Sequence, residues 1–252
     1  MIDHALYSLE QLSNLNASNQ SAYYQQQEQH LTIRLRAVKE TALSLGAQAG
    51  LAAEAKIIDS FLVSYSDKLD KIFNFNQLLL QSNVLPPVIS DSSNSVNVEQ
   101  GAQSIRVAGR SYKIISQVRF VTAPPTWRDY LYLNYSKPEL PNKILLPQNT
   151  EEETLWKESV TQGWQQGIRQ AVTIYKINLN RLVRDYTGMV LYKKLLTEGL
   201  VSPVYVAKKY QGVTGDKNKV TIDDWTWAIK DKPGLQIKSQ LWQPVVGKKH
   251  DE

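Results

Sequence analysis

The residue types that most often perform chemistry are scarce along this 252-residue chain. It has no cysteine, and its three histidines are His4, His30 and His250. Because residues 31–249 contain no imidazole or thiol, Ser-His-Asp triads, Cys-His pairs, His/Cys zinc sites and CxxC redox centres are excluded from that stretch. An enzyme would have to work with carboxylates, lysine, tyrosine or serine. The sequence therefore favours a protein without catalytic activity, and it predicts no cofactor or metal.

Acidic residues offer two weaker candidates for chemistry. Residues 151–153 are all glutamate and Asp223 is followed by Asp224, so either set could supply the paired carboxylates of a glycosidase. The glutamates also fit a helix N-terminus, and the aspartates fit the end of a strand. Residues 216–224 faintly resemble a calcium loop but lack its glycine and terminal glutamate, so a hairpin turn explains them better. A carboxylate-based cell-wall-active or carbohydrate-active hydrolase is the alternative to a non-enzymatic protein.

The net charge of +5 lies entirely in the second half of the chain. Residues 1–126 carry ten Lys/Arg and ten Asp/Glu, whereas residues 127–252 carry nineteen and fourteen. A basic half is compatible with an anionic neighbour, but a solvated helix surface, with the stems of lysine and arginine lying over apolar area, explains it better. The charges of residues 169–210 are spread around a helix and no nucleic-acid-binding motif accompanies them, so nucleic-acid contact is not predicted.

Two short segments rich in tryptophan and tyrosine form the stronger candidate site. One holds four such residues within nine positions, and the other holds two at alternate positions of a predicted strand. Both residue types are favoured anchors in protein interfaces because they combine large apolar area with a polar group. Core packing is the other explanation, and periodicity does not separate the two. The predicted partner-binding residues are Trp127, Tyr130, Tyr132, Tyr135, Trp225 and Trp227.

Two helical patterns must position these segments. Residues 31–81 carry apolar side chains at alternating steps of three and four, which predicts one bent helix or two helices with a break near residues 64–66. Ala42, Gly46 and Gly50 add a line of small residues, which lets another helix backbone approach closely. We predict that this helix-packing line contacts the second helix.

The second helical pattern begins at Thr150, where Glu153 completes a capping-box signature, and it continues to residue 199. About 49 residues of helix would be roughly 73 Å long, which is too long for one straight helix in a compact domain. We therefore predict a kink at a glycine. The candidates for the kink are Gly163, Gly167 and Gly188.

The other segments predict antiparallel strands. Residues 90–101 are Ser/Asn-rich and predict a loop, and residues 104–120 predict a β-hairpin that turns at residues 108–110. The order helices, strands, helices, strands lacks βαβ alternation, so we predict the α+β class, with long helices packed on an antiparallel β-sheet. The remaining predicted strands cover residues 204–206, 220–222, 225–229, 235–237 and 241–242, with a turn at residues 215–218 between the first two.

Residues 1–30 differ in composition from the rest. They are rich in Gln, Asn and Ser without a periodic apolar face, which predicts a flexible polar tether. Residues 31–252 are predicted to form a single α+β domain. No apolar segment approaches the roughly 20 residues of a transmembrane helix, and residues 1–4 lack the features of a signal peptide.

Seven motifs occur in order across residues 31–246. They are VKETALSLGAQAGL (38–51), NVLPPV (83–88), QSIR (103–106), PPTWR (124–128), VSP (201–203), GVTGD (212–216) and WQP (242–244). In these motifs the chain resembles the DotC family, which includes the TraI proteins of IncI-type conjugative plasmids. Several of the motifs are long and non-generic, and together they cover nearly all of the predicted domain.

The resemblance implies an outer-membrane lipoprotein of a type IVB (Dot/Icm-like) secretion or conjugation apparatus. Such proteins are acylated on a cysteine at the mature N-terminus, and their body faces the periplasm. With the lipoprotein DotD they bring the channel-forming DotH to the outer membrane as part of the core complex, and no catalysis is implied. This chain lacks the cysteine, so we expect Met1 to stand in place of the signal peptide and the lipidated residue, with residues 1–30 as the leash.

Overall fold

A computed structural model describes residues 9–10, 28–98 and 105–242, so most of the predicted tether over residues 1–30 lies outside the described residues. The helices are α1 (Glu28–Ser64), α2 (Ser66–Ile72), α3 (Trp127–Leu131) and α4 (Thr150–Thr197). The strands are β1 (Val84–Leu85), β2 (Val88–Val98), β3 (Ile105–Ser116), β4 (Arg119–Phe120), β5 (Tyr205–Gly215) and β6 (Val220–Asp231). Short 3₁₀ helices cover Phe75–Leu78, Gln81–Asn83, Lys143–Leu145 and Ser239–Leu241.

Long helices and small antiparallel sheets confirm the predicted α+β class. β1 pairs with β4, β2 with β3, and β5 with β6, so the described strands form three two-stranded antiparallel ladders. The described helices include none with the length and apolar character that a membrane span requires.

The chain divides into two compact units, of which unit 1 comprises Met1–Leu69 and Trp127–Asn180, and unit 2 comprises Asp70–Thr126 and Arg181–Glu252. α4 contributes to both units, so its 48 residues need not fit within one of them. The helix runs unbroken through the three glycines at which the sequence predicts a kink.

In unit 1, α1 packs against the first part of α4. The break predicted near residues 64–66 is confirmed, because α1 ends at Ser64 and α2 begins at Ser66. Helical structure stops at Ile72, earlier than predicted, and short 3₁₀ turns follow it. The buried cluster between the two helices consists of Val38, Ala42, Leu45, Ala49, Leu146, Trp156 and Val160.

α4 begins at Thr150, as predicted, but its cap lies one residue earlier. The side chain of Asn149 accepts the backbone N–H of Glu152 at 2.8 Å. A carboxylate oxygen of Glu152 in turn accepts the backbone N–H of Gln148 at 2.8 Å. Asn149 is therefore the N-cap in place of the predicted Thr150, and Glu152 turns back over the first turn.

The loop predicted over residues 90–101 is wrong where the structure describes it. β2 covers Val88–Val98 and pairs with β3, which runs straight through residues 108–110, where the sequence predicts a turn. Backbone hydrogen bonds hold such a ladder, and residues 91–93 are exposed, so this part of β2 needs no alternating apolar side chains. The Ser/Asn-rich strand therefore gives no sequence signal.

β5 and β6 form one hairpin around the predicted turn at residues 215–218. The predicted strands over residues 235–237 and 241–242 do not join it. Leu235 makes a single bridge with Val201, and Ser239–Leu241 is a 3₁₀ helix. Pro233 explains the end of the sheet, because proline has no N–H to extend the ladder after β6.

In unit 2, the last part of α4 packs on the β2–β3 ladder. Gly188 allows the close approach, since an added Cβ would lie 2.6 Å from Cγ1 of Val88 and 2.8 Å from the carbonyl oxygen of Ile89. This is the predicted arrangement of a long helix on an antiparallel sheet. The buried cluster contains Ile89, Tyr192, Leu195 and Val201, and it is joined by Tyr112 and Ile114 of β3.

Candidate protein interaction surface

The first aromatic segment lies in unit 1, on α3 and the chain that follows it. Trp127 is only 1% exposed, its ring meets that of Tyr132 edge-on at 5.4 Å, and the Arg128 guanidinium lies 4.4 Å from its ring centre. Tyr130 and Tyr132 are half-buried, whereas Tyr135 is 43% exposed. Trp127 is thus an internal anchor, and Tyr135 is the most accessible ring of this segment.

Asp59 of α1 fixes the backbone that carries Tyr135. Its carboxylate accepts the backbone N–H of Leu133 at 3.1 Å and that of Asn134 at 3.4 Å. Asn134 adopts a positive φ of 49°, a conformation that asparagine tolerates better than most residues. Tyr135 then lines an open groove of about 470 Å³ together with side chains of α1 and α4.

The second aromatic segment lies in unit 2, on the β5–β6 hairpin, which we term the aromatic ribbon. Directly paired residues of antiparallel strands project from the same face. The register pairs three residues of β5 with three of β6 on one face, which we term the aromatic face. These pairs are Val206 with Ile229, Lys208 with Trp227, and Tyr210 with Trp225.

The aromatic face is both open and ordered. Tyr210, Trp225 and Trp227 are 53%, 54% and 42% exposed. The rings of Tyr210 and Trp225 lie 4.8 Å apart, and Nζ of Lys208 lies 4.4 Å from the ring centre of Trp227. Neighbouring side chains therefore hold the rings in place while much of their apolar area stays in water.

The paired aspartates Asp223 and Asp224 accept hydrogen bonds from other side chains of the aromatic ribbon. The Tyr210 hydroxyl donates to Oδ1 of Asp223 at 2.8 Å, and the Thr214 hydroxyl donates to Oδ2 of Asp224 at 2.6 Å. The bond to Asp223 raises the pKa of the Tyr210 phenol, because it stabilises the protonated form. Asp223 has a φ of 56°, where the register between the strands shifts. Both carboxylates are thus engaged in hydrogen bonds that hold the ribbon together.

The turn of the aromatic ribbon has no features of a cation site. Asp216 accepts the backbone N–H of Asn218 at 2.7 Å and that of Lys219 at 3.1 Å, which is typical of a hairpin turn. Within the described ranges, no three or more His, Asp or Glu residues are grouped closely enough to hold a metal ion.

The predicted helix-packing residues lie where α1 meets α4 in unit 1. Ala42 is fully buried. A Cβ added to Gly46 would collide with the carbonyl oxygen of Val160, and one added to Gly50 would collide with that of Trp164. The two backbones are therefore in direct contact along this line.

Matching glycines on α4 complete the contact. A Cβ on Gly163 would collide with the carbonyl oxygen of Leu43, and one on Gly167 with that of Ala47. Sequence reasoning treated these glycines as kink positions. Their spacing of four, the same as that of the α1 glycines, was the available signal. Together the four glycines form what we term the glycine-lined helix pair.

A buried ion pair holds the start of α4 in unit 1. Glu152 is buried, and Nε and Nη2 of Arg34 donate to its two carboxylate oxygens at 2.7 and 3.0 Å. Arg34 also donates to the carbonyl oxygens of Ile144 and Leu146 at 3.0 and 3.2 Å. This candidate carboxylate is thus engaged in structure. Its partner is distant in sequence, so no local pattern could reveal the pair.

Two carboxylates that sequence reasoning did not single out share an open groove of unit 1. Glu40 of α1 and Glu139 of the segment after α3 line this groove, which has a volume of about 350 Å³. Side chains of Thr41 and Ser44 lie beside them. Two acidic side chains therefore line one concave surface of unit 1.

Comparison with known proteins identifies the family. No curated protein matches the chain. A family model described as type IV secretory system, conjugal DNA-protein transfer (TraI) matches residues 32–244. Because this match covers most of the 252 residues, the chain belongs to the TraI family and is a conjugal type IV secretion-related subunit.

Proposed function

We propose that the chain is a non-enzymatic structural subunit of the outer-membrane core complex of a type IVB secretion or conjugation apparatus, similar to DotC. With a DotD-like lipoprotein it helps to assemble and localise a channel-forming DotH-like subunit. It needs no cofactor and makes no contact with nucleic acid. The family match supports a place in the conjugal apparatus, and the DotC-like motifs support the finer role.

The observation that carries this proposal is the aromatic face of the ribbon. Trp and Tyr dominate the binding energy of many protein interfaces. Trp225 and Tyr210 pack on each other, and Trp227 lies under Lys208, so the rings have little rotamer freedom left to lose. A surface ordered before binding lowers the entropy cost of association. These properties suit a subunit whose work is assembly.

We place the chain on the outer membrane, with its body in the periplasm. The anchor is a lipid on an N-terminal cysteine that this sequence lacks, and residues 1–30 connect the lipid to the body. One acyl chain gives only marginal membrane binding, so stable attachment requires a second chain or contact with other anchored subunits. A DotD-like lipoprotein provides such a contact.

Membrane fractionation of conjugating cells tests the proposal. The lipidated full-length protein is expressed with its DotD-like and DotH-like partners, and a strain lacking this chain is the control. We expect all three subunits to co-purify from the outer membrane, and the DotH-like subunit to be absent from that fraction in the control strain. A DotH-like subunit that reaches the outer membrane equally well in both strains would overturn the proposal.

The hydrolase alternative has one observation in its favour, the groove shared by Glu40 and Glu139. Paired carboxylates in a cleft are the arrangement that glycoside cleavage requires. Glu40→Gln combined with Glu139→Gln separates the two functions. A scaffold keeps its plasmid-transfer frequency within about twofold, whereas a hydrolase loses at least about a hundredfold because general acid–base catalysis is removed.

A further inference from the structure

The two strands of the aromatic ribbon carry opposite charges. β5 contains two lysines and no acidic residue, for a net +2, and β6 contains three aspartates and one lysine, for a net −2. The charged side chains are Lys208 and Lys209 on β5, and Asp223, Asp224, Lys230 and Asp231 on β6.

Both outer edges of the aromatic ribbon are open within the described part of the chain. β5 and β6 pair with each other and with no other described strand. Each therefore leaves one row of backbone N–H and C=O groups outside a ladder. An exposed edge strand is a template for another strand, and a lone two-stranded ladder is only marginally stable in water. The ribbon is thus suited to receive a further strand at either edge.

We propose that the β5 edge of one copy pairs with the β6 edge of a second copy, so that neighbouring aromatic ribbons form one antiparallel sheet. This inference rests on the proposed scaffold function and names a second copy of the chain as the partner of the ribbon. Opposite charges on facing strands are stabilising, and like charges are destabilising. Pairing β5 with β5 would bring four lysines together, and pairing β6 with β6 would bring two net charges of −2 together.

Pairing unlike edges is a head-to-tail contact. β5 and β6 are antiparallel within one chain, so copies related by rotation about a common axis place β5 antiparallel to the next β6. A head-to-tail contact repeats from copy to copy and closes into a ring when the rotation permits. Tyr210, Trp225 and Trp227 of successive copies then form one band and lose exposed apolar area.

Single-cysteine variants test which edges meet, because this sequence contains no cysteine and an acylated cysteine has no free thiol. Lys209→Cys marks β5 and Thr226→Cys marks β6. Residues 209 and 226 face each other within one chain, so the two substitutions are kept in separate, differently tagged copies. Ser111→Cys, at an exposed position of β3, is the matched control.

The full-length variants are co-expressed with the partner subunits, and membranes are treated with a short bismaleimide. We expect a cross-linked dimer that contains one β5-marked and one β6-marked copy. It should be absent from either variant expressed separately and from the control. A dimer of two β5-marked copies, a cross-link to a different protein, or no dimer at all would overturn the proposal.

Charge reversal gives a second test and separates the two proposals. Lys208→Glu added to the Lys209→Cys copy leaves β5 with a net charge of −1, the same sign as β6, so we expect the cross-linked dimer to fall at least tenfold relative to Lys209→Cys alone while far-UV circular dichroism stays native. Undiminished cross-linking would contradict edge pairing. If cross-linking is lost but the DotH-like subunit still reaches the outer membrane, the scaffold function stands without this contact. If cross-linking persists but the DotH-like subunit reaches the outer membrane equally well in the strain lacking this chain, the scaffold function fails by itself.

Discussion

The glycine-lined helix pair of unit 1 and the aromatic ribbon of unit 2 differ in how completely they are packed. In the helix pair, backbone lies against backbone and the surrounding apolar side chains are buried. In the ribbon, three large rings keep about half of their area in water. The residues of the helix pair are Gly46, Gly50, Gly163 and Gly167, and the rings are those of Tyr210, Trp225 and Trp227.

The difference shows that small and large residues mark different kinds of contact in this protein, one made within the chain and one left for a partner outside it. Small residues at a spacing of four belong to a contact that the chain completes within itself. Large aromatic residues on one face of a two-stranded ladder belong to a contact that the chain leaves open. Substitutions in the helix pair should therefore change the free energy of unfolding, whereas substitutions in the ribbon should change assembly.

The largest effect is expected at the ion pair beside the helix pair. Glu152→Ala leaves Arg34 partly buried without its carboxylate and removes the acceptor for the Gln148 N–H, so the free energy of unfolding should fall by about 3 kcal/mol. Glu198→Ala is the control, because its pair with Lys194 is at 4.0 Å and the Lys194 side chain is 67% exposed, so the loss should stay below about 1 kcal/mol. Urea titrations measure both, and equal losses would contradict the account.

The next effect is expected at the glycines themselves. Gly46→Leu or Gly50→Leu forces α1 away from α4 and should cost about 1–3 kcal/mol each through overpacking. Gly109→Ala is the matched control, since an added Cβ on this strand residue meets no atom within 4 Å, and its effect should be neutral or stabilising by less than about 1 kcal/mol. An unchanged melting temperature in both leucine variants would contradict direct backbone contact.

A smaller effect of the opposite sign is expected at Tyr192. This side chain is fully buried, and its hydroxyl makes no hydrogen bond of standard geometry with the described residues. Tyr192→Phe removes a buried polar group whose contact with the backbone of Val204 falls short of standard hydrogen-bond geometry, so it should stabilise unit 2 by up to about 1 kcal/mol. A loss of more than about 1 kcal/mol in urea titrations would instead show that the hydroxyl is satisfied.

The same residue predicts a loss of stability at high pH. Burial raises the pKa of the Tyr192 phenol above its ordinary value of 10.0, an effect that the backbone of Val204 partly offsets. Its contribution is complete below pH 10 and is lost as pH rises from there towards the folded-state pKa, because the unfolded chain releases the proton first. From about pH 10 to 11, the parent should therefore lose stability more steeply than Tyr192→Phe. Equal slopes of the free energy of unfolding against pH in the two proteins would contradict this assignment.

The sequence predicted the helices better than the strands, for a physical reason. Both long helices bury one face, so their apolar residues recur every three or four positions, and the break after Ser64 was visible in that pattern. β2 buries Val88 and Ile89 at its start but exposes residues 91–93, so this Ser/Asn-rich part had no apolar pattern and was mistaken for a loop. The α4 glycines were recognised as unusual, but their role depended on which helix faced them.

The candidate site was predictable in part. Alternation of Trp225 and Trp227 was visible, but only the register shows that Lys208 and Tyr210 stand opposite them on the same face. Composition could not distinguish Trp127, which is an internal anchor, from the exposed rings of the ribbon. That distinction depends on long-range packing, which one sequence does not display.

The most direct test of the central claim, that the aromatic ribbon serves assembly rather than folding, is the double variant Trp225→Ser with Trp227→Ser. We expect its free energy of unfolding to fall by less than about 2 kcal/mol, which covers the two cross-strand pairs lost with Tyr210 and Lys208. Recovery of the DotH-like subunit with the tagged chain from the outer membrane should fall at least tenfold, whereas Tyr135→Ser, at an exposed ring of unit 1, should leave it unchanged. Parental recovery in the double variant, or a loss of more than about 2 kcal/mol in its stability, would contradict the account.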